Sequence, residues 1–183
     1  MTRFILIDVE VALEGNGTPF SSRMTEFGCV DLQSGAEFEG ILYKATPHPD
    51  NPALSYIDEQ EPDLIGDSGR RKVFEKFDKW LKQFSHTGER RFVLISDNCT
   101  YDGAFFNYTW DQYMGTRSPF GHSGRRIGDI WAGMQAASGG GSWKDAQKWK
   151  RFRITKHSHR AVEDSRGNRE ALLHILEKYD QTV

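Results

Sequence analysis

The chain is poor in cysteine: only Cys29 and Cys99 occur in 183 residues. Neither falls in a metal-ligand spacing and both lie beside apolar runs, which indicates buried free thiols and excludes a Cys-based metal centre. Long apolar runs are missing. The N-terminal one covers residues 4–7, too short for the core of a secretion signal or for a membrane span. A cytoplasmic location without membrane association is therefore the default expectation. Positive charge is not in excess: 24 Lys and Arg face 26 Asp and Glu, a formal net charge of −2. That leaves no global pull toward nucleic acid, so any attraction must come from a local patch. Repeats, low-complexity tracts and linkers are absent. Of the six prolines, four (47, 49, 52 and 62) fall within residues 45–62, which reads as a loop. The length suits one domain spanning 1–183 with a real core. Aromatics, at 13% with five Trp, are abundant and serve a core first and flat ligands second.

Residues 4–10 read Phe-Ile-Leu-Ile-Asp-Val-Glu, an apolar run ending in acids. This is the pattern of a central strand buried on both faces. The strand period of two puts Asp8 and Glu10 on one side. Two buried like charges cost on the order of several kcal/mol unless something compensates. A divalent cation is one compensation; a solvated strand end is the plain alternative. Residues 26–32 and 37–43 read as two further strands joined by a turn at 33–35, so the first three strands form an antiparallel meander. Residues 68–84 carry one apolar stripe (Val73, Phe74, Phe77, Trp80, Leu81, Phe84), a helix that Asp67 or Ser68 can cap. Residues 92–95 form a second buried strand. It runs toward Asp102, at the start of a helix over 103–114, where the dipole stabilises a carboxylate. Asp129 lies inside an apolar segment at 127–134. Ser142 caps a short helix over 143–150.

From residue 144 to 160 there are seven Lys and Arg (144, 148, 150, 151, 153, 156, 160) and one acid, Asp145. This is the chain's only basic run: a phosphate-backbone track, or else a solvated face. The last helix spans 160–179. Ala161, Asp164, Asn168, Ala171 and Ile175 share a face, so Asp164 points at the sheet and needs a partner. Gly167 in mid-helix signals a close backbone approach. His159, just before that acid, is placed to deprotonate a water. Four acids at one sheet edge suit two divalent ions roughly 4 Å apart, which stabilise the attacking and leaving oxygens of phosphodiester cleavage.

In order and spacing these stretches resemble the DEDD exonucleases, specifically the DEDDh branch. Asp8 and Glu10 match the first motif. Asn98, Tyr101, Asp102, Phe105 and Phe106 match the second. His159, Ala161 and Asp164 match the third, which continues into residues 167–172, and residues 142–149 resemble the short helix before it. The resemblance implies an α/β, ribonuclease H-like fold: a mixed five-stranded sheet, its first three strands antiparallel, with helices on both faces. It implies a 3′→5′ exonuclease that hydrolyses single-stranded nucleic acid to nucleoside 5′-monophosphates by a two-metal-ion mechanism. Two Mg2+ or Mn2+ ions would be held by Asp8, Glu10, Asp102 and Asp164, with His159 as general base. A histidine here, and Arg160 where the other branch has tyrosine, selects the h branch. Val11, Ala12 and Leu13 would contact the terminal nucleotide, with Asn98, Phe105 and Arg160 as further substrate-binding positions.

The chain departs from the family at Val11 and Ala12, where Thr and Gly are frequent, so its nucleotide pocket differs. His157 competes for the base role, but the motif spacing favours His159 and leaves His157 as a phosphate contact or surface residue. Asp97 is mis-spaced for the second motif. Asp129 is an extra ordering acid or a cap. The expected partners are the 3′ ends of single-stranded RNA or DNA, RNA being favoured by the compact chain. The alternatives are a DNA proofreading or repair exonuclease, and a non-catalytic or accessory nucleic-acid-binding module. Many relatives dimerise, and the aromatics of 108–113 offer a surface for a homodimer.

Overall fold

The structure, a computed structural model, describes residues 2–12, 14, 16–60, 62–84 and 91–181. Leu13 lies outside the described residues.

The acid-tipped run at 4–10 sits within β1 (Thr2–Val11), the central strand. It pairs antiparallel with β2 (Met24–Asp31), placing Asp8 opposite Gly28 and Glu10 opposite Glu26. β2 in turn pairs antiparallel with β3 (Glu37–Ile41). Next come a small separate hairpin, β4 (Thr46–His48) and β5 (Asn51–Tyr56), and α1 (Gly66–Lys82). β6 (Arg91–Ser96) then returns parallel to β1 on its free side. After α2 (Cys99–Met114), β7 (Gly124–Arg126) extends the sheet parallel to β6. α3 (Ile127–Ala137), two 3-10 turns (Trp143–Asp145 and Lys148–Phe152) and α4 (Ala161–Lys178) complete the chain. The sheet order is β3-β2-β1-β6-β7, mixed, with the first three strands antiparallel.

Side-chain alternation along β1 divides the core in two. Ile5, Ile7 and Val9 join α1 and α2 through Phe74, Phe77, Phe105, Phe106 and Trp110. Leu6 joins α3, α4 and the second 3-10 turn through Trp131, Leu172, Ile175 and Trp149. Helices thus cover both faces, and Asp8 and Glu10, in phase with Leu6, share the α4 face. Two glycines let α4 settle there. A Cβ on Gly28 would run into the backbone of Ala161 and Val162, and one on Gly167 would lie 2.5 Å from Arg153 Nε and 2.7 Å from Thr155 O.

Several local expectations are corrected. Residues 45–62 hold the β4/β5 hairpin, whose few pairs leave outer edges where proline is tolerated. α1 starts two residues early, and Asp63 Oδ1, not Asp67 or Ser68, accepts from Ile65 N and Gly66 N at its start. Residues 143–150 form 3-10 turns and not one helix, with Ser142 Oγ accepting from Lys144 N. Of the aromatics at 108–113, Trp110 and Tyr113 are buried in the core, and Tyr108 is exposed, with its ring 5.2 Å from that of the exposed Phe20. No helix among the described residues is long and apolar enough to cross a membrane.

Candidate active site

Three elements deliver acids to one end of the sheet. β1 brings Asp8 and Glu10, the first turn of α2 brings Asp102, and the first turn of α4 brings Asp164. One ligand oxygen from each of Asp8, Glu10 and Asp164 lies within 4.8 Å of the others. Asp102 stands outside that trio, yet after burial its charge is the largest influence on Asp8. Crowding without water raises proton affinity. Burial, then the charges of Asp102, Glu10 and Asp164, push the Asp8 carboxyl well above its usual range. Glu10 is pushed up to about 8, by burial first and Asp164 second. Burial holds Asp102 at about 7.

The donors suit hard divalent cations, which take carboxylate oxygens. Asp102 Oδ2 is buried without a well-aligned hydrogen-bond partner among the described residues, although Ser96 and the backbone of Asn98 and Val9 lie close enough to temper the rise in the carboxyl's pKa. The raised proton affinities mark the same thing from the other side: negative charge is in surplus over the one arginine, Arg153, that faces it.

Asp164 is fully buried and partly answered already. Its Oδ1 accepts from Arg153 Nη2 at 2.7 Å and from Ser158 N at 3.2 Å, and His157 Nδ1 lies 2.8 Å away. Its Oδ2 accepts from His159 N at 3.1 Å. Arg153 is the residue that the sequence pattern did not mark. It was one cation of a basic run, whereas its side chain is 9% exposed and faces the acids. The buried Asp164 in need of a partner and the close approach at Gly167 were its two indirect signals. Glu26 was also missed. It faces Glu10 across the β1/β2 ladder and accepts from Ala161 N at 2.6 Å, closing the N-terminus of α4.

The expected phosphate track does not survive intact. Lys148 pairs with Asp145 at 2.8 Å and Lys150 with Asp97 at 2.6 Å, while Arg151 sits 4.9 Å from the Phe152 ring. Arg160, expected to meet substrate, donates to Glu39 at 2.7 Å and lies 3.7 Å from Glu26. Four of the run's seven cations (Lys148, Lys150, Arg153 and Arg160) thus have carboxylate partners, while Lys144, Arg151 and Lys156 have none among the described residues.

His159 is half-buried and takes φ 57°, a conformation that costs a non-glycine residue and recurs at functional sites. Its ring meets the His157 ring edge-on at 4.2 Å. Burial, then the His157 charge, lowers its pKa against the pull of Asp164. A neutral imidazole beside the acids is competent to accept a proton. His157 is more than a surface residue, since it is tied to Asp164. Of the other expected contacts, Asn98 is exposed at the start of α2, and Val11 is partly buried against the core. Ala12 is buried, donates to Arg23 O and bridges to Ser55, and Phe105 is 1% exposed in the core. Neither offers a surface to substrate. Tyr101, by contrast, is 36% exposed, one residue from Asp102, and packs on Phe105 at 4.7 Å. Asp129 is exposed and paired with Arg126 at 3.2 Å, outside the cluster.

A mixed sheet in this order, covered by helices on both faces, is a fold shared with solved 3′-exonuclease domains. Solved structures carry that likeness. The chain is 14% identical to a 3′-exonuclease described in 3′-end specific recognition of histone mRNA stem-loop, over 98% of this chain and 65% of that one, with a TM-score of 0.64. It is 15% identical to the nuclease domain of 3′hExo, a DEDDh family member bound to rAMP, over 98% of this chain and 94% of that one, with a TM-score of 0.56. It is 12% identical to cell-death related nuclease 4 (CRN-4), over 96% of this chain and 64% of that one, with a TM-score of 0.63. The chain thus spans just under two thirds of two of these three proteins. No protein-family model and no curated protein matches it.

Proposed function

We propose that this chain is a metal-dependent 3′→5′ exonuclease that releases nucleoside 5′-monophosphates from single-stranded nucleic acid. The observation that carries this is the gathering of Asp8, Glu10 and Asp164 at one sheet end with Asp102 beside them, three of the four raised above the usual carboxylate range by burial and, for Asp8 and Glu10, by the neighbouring acids. Such crowding is costly to fold and serves a cationic ligand. RNA is favoured over DNA because two of the structural neighbours are described with RNA ligands, a histone mRNA stem-loop and rAMP.

The four acids would hold two Mg2+ or Mn2+ ions. When bound, the ions supply Lewis-acid stabilisation of the attacking and leaving oxygens. His159 accepts the proton of the attacking water through its ring, while its backbone N–H keeps Asp164 in place. Arg153 holds Asp164 from the opposite side and limits the negative charge facing a phosphodiester. Tyr101 offers a ring face to the terminal base.

One observation favours a second reading. Arg153 already occupies part of a metal-ligand carboxylate, as it would in a nucleic-acid-binding module that no longer cleaves. Product analysis separates the two. A uridine 15-mer incubated with the protein and Mg2+, then resolved by chromatography, should yield uridine 5′-monophosphate. An intact 15-mer supports the module, and internal fragments without monophosphate sink both the 3′→5′ direction and the exonuclease.

A further inference from the structure

Away from the acidic cluster, the structure has a second polar region with the opposite charge. Two cavities of about 510 and 480 Å3 share one wall, residues 120–124. The first begins at Cys99 and Thr100, on the same turn of α2 that carries Asp102, and runs along that helix past Gly103 to Asn107. The second is lined by Arg91, Arg117, His122 and Arg125. In a chain with 26 acids, no Asp or Glu lines either cavity. Among the described residues no carboxylate pairs with these three arginines. Arg117 and Arg125 are exposed, and Arg125 is steadied by the Phe4 ring 5.7 Å from its guanidinium carbon. Four of the seven cations of the basic run at 144–160 already have carboxylate partners, whereas Arg91, Arg117 and Arg125 keep their full charge for an outside ligand.

We infer that these two cavities form a secondary site for the sugar–phosphate backbone of a nucleic-acid strand, upstream of the 3′ end held at the acidic cluster. This rests on the exonuclease reading above. Guanidiniums spread over two adjoining cavities match a repeated negative charge, and planar donors match phosphate oxygens. The acid-free wall leading from the first turn of α2 gives the strand a way out of a site whose own carboxylates repel it.

The test is fluorescence anisotropy in EDTA, so that no cleavage intervenes, with a 5′-fluorescein uridine 15-mer and a uridine trimer. Wild type is compared with Arg117→Gln/Arg125→Gln, and with Lys72→Gln/Lys76→Gln, which removes the same charge from an exposed face of α1. At roughly 0.7 in log–log salt slope per phosphate contact, losing two contacts lowers the slope by about 1.4 and weakens 15-mer binding on the order of twenty-fold at 0.1 M salt. Trimer binding and the lysine variant should be unchanged. An arginine variant that binds the 15-mer with wild-type affinity and slope overturns the proposal, as does a wild type that fails to bind it. Poly-glutamate bound as tightly as the 15-mer, and lost with the arginines, would show that the site takes an acidic peptide and would also overturn it. A separate Mg2+ cleavage assay keeps the two claims apart: binding through the arginines without cleavage sinks the exonuclease and leaves this site standing.

Discussion

Replacing Glu10 by Gln should make the metal-free protein more stable at pH 8.5, although it removes a charged group from the most acidic part of the molecule. Glu10 titrates at about 8 in the fold against an ordinary 4.5. Between those values the folded chain holds a proton that the unfolded chain has released. Stability therefore falls as pH rises through that window, and the loss is complete above the folded value. From pH 7 to 8.5 this linkage removes about 1.2 kcal/mol for Glu10, and Asp102, at about 7, adds a few tenths more. His159, whose pKa is lowered, acts with the opposite sign, but only below about 6.5, so it does not interfere above pH 7. For a domain of this size about 1.5 kcal/mol corresponds to roughly 3–6 °C in Tm. Differential scanning calorimetry in EDTA should show the wild-type Tm falling by that amount from pH 7 to 8.5. Glu10→Gln should lose most of the slope and melt above wild type at pH 8.5. Added Mg2+ should raise the wild-type Tm at pH 8.5 and raise the variant's less. A wild-type Tm that is flat or rises over this interval in EDTA would refute the claim that the acids are crowded and uncompensated.

Asp102→Asn and Asp164→Asn should each abolish cleavage with an unchanged circular dichroism spectrum; a variant with normal turnover sinks the assignment of that acid. His159→Ala should slow turnover by about 10²–10⁴-fold, the range for a general base, while metal affinity by calorimetry stays near wild type. If His157→Ala gives the larger rate loss instead, the base is His157. Arg153→Met should cost about 1–3 kcal/mol in the metal-free protein by removing the one arginine partner of buried Asp164, which keeps its contacts to His157, Ser158 and His159, and should tighten Mg2+ binding. Equal Mg2+ affinity in variant and wild type would show that Arg153 does not compete for that carboxylate. Gly28→Ala should destabilise by about 3 kcal/mol, because its Cβ has no room against the first turn of α4; a shift in urea midpoint near zero would contradict that contact.

The parts of the site that were legible in the sequence are those that periodicity sets. Alternation put Asp8 and Glu10 on one face, helical phase turned Asp164 inward, and Gly167 announced a close neighbour. What stayed hidden depends on which long side chain reaches where. Arg153 looked like one cation among seven, and only the fold shows it bent onto Asp164, while its neighbours pair with Asp145, Asp97 and Glu39. Glu26 looked like an ordinary strand residue until register set it opposite Glu10. Ala12 and Phe105 have motif positions that suggest a nucleotide contact, but burial is a property of packing, and both are inside. The β4/β5 hairpin was masked by its prolines, which an edge accommodates and a central strand would not.

The most direct measurement is a cleavage time course on 5′-labelled single-stranded RNA and DNA of one sequence, with Mg2+, with Mn2+ and with EDTA, and with Asp102→Asn alongside. Wild type should give a ladder that shortens one nucleotide at a time from the 3′ end, faster on RNA, present with either ion and lost in EDTA and in the variant. Shortening that persists in EDTA or in Asp102→Asn would contradict it.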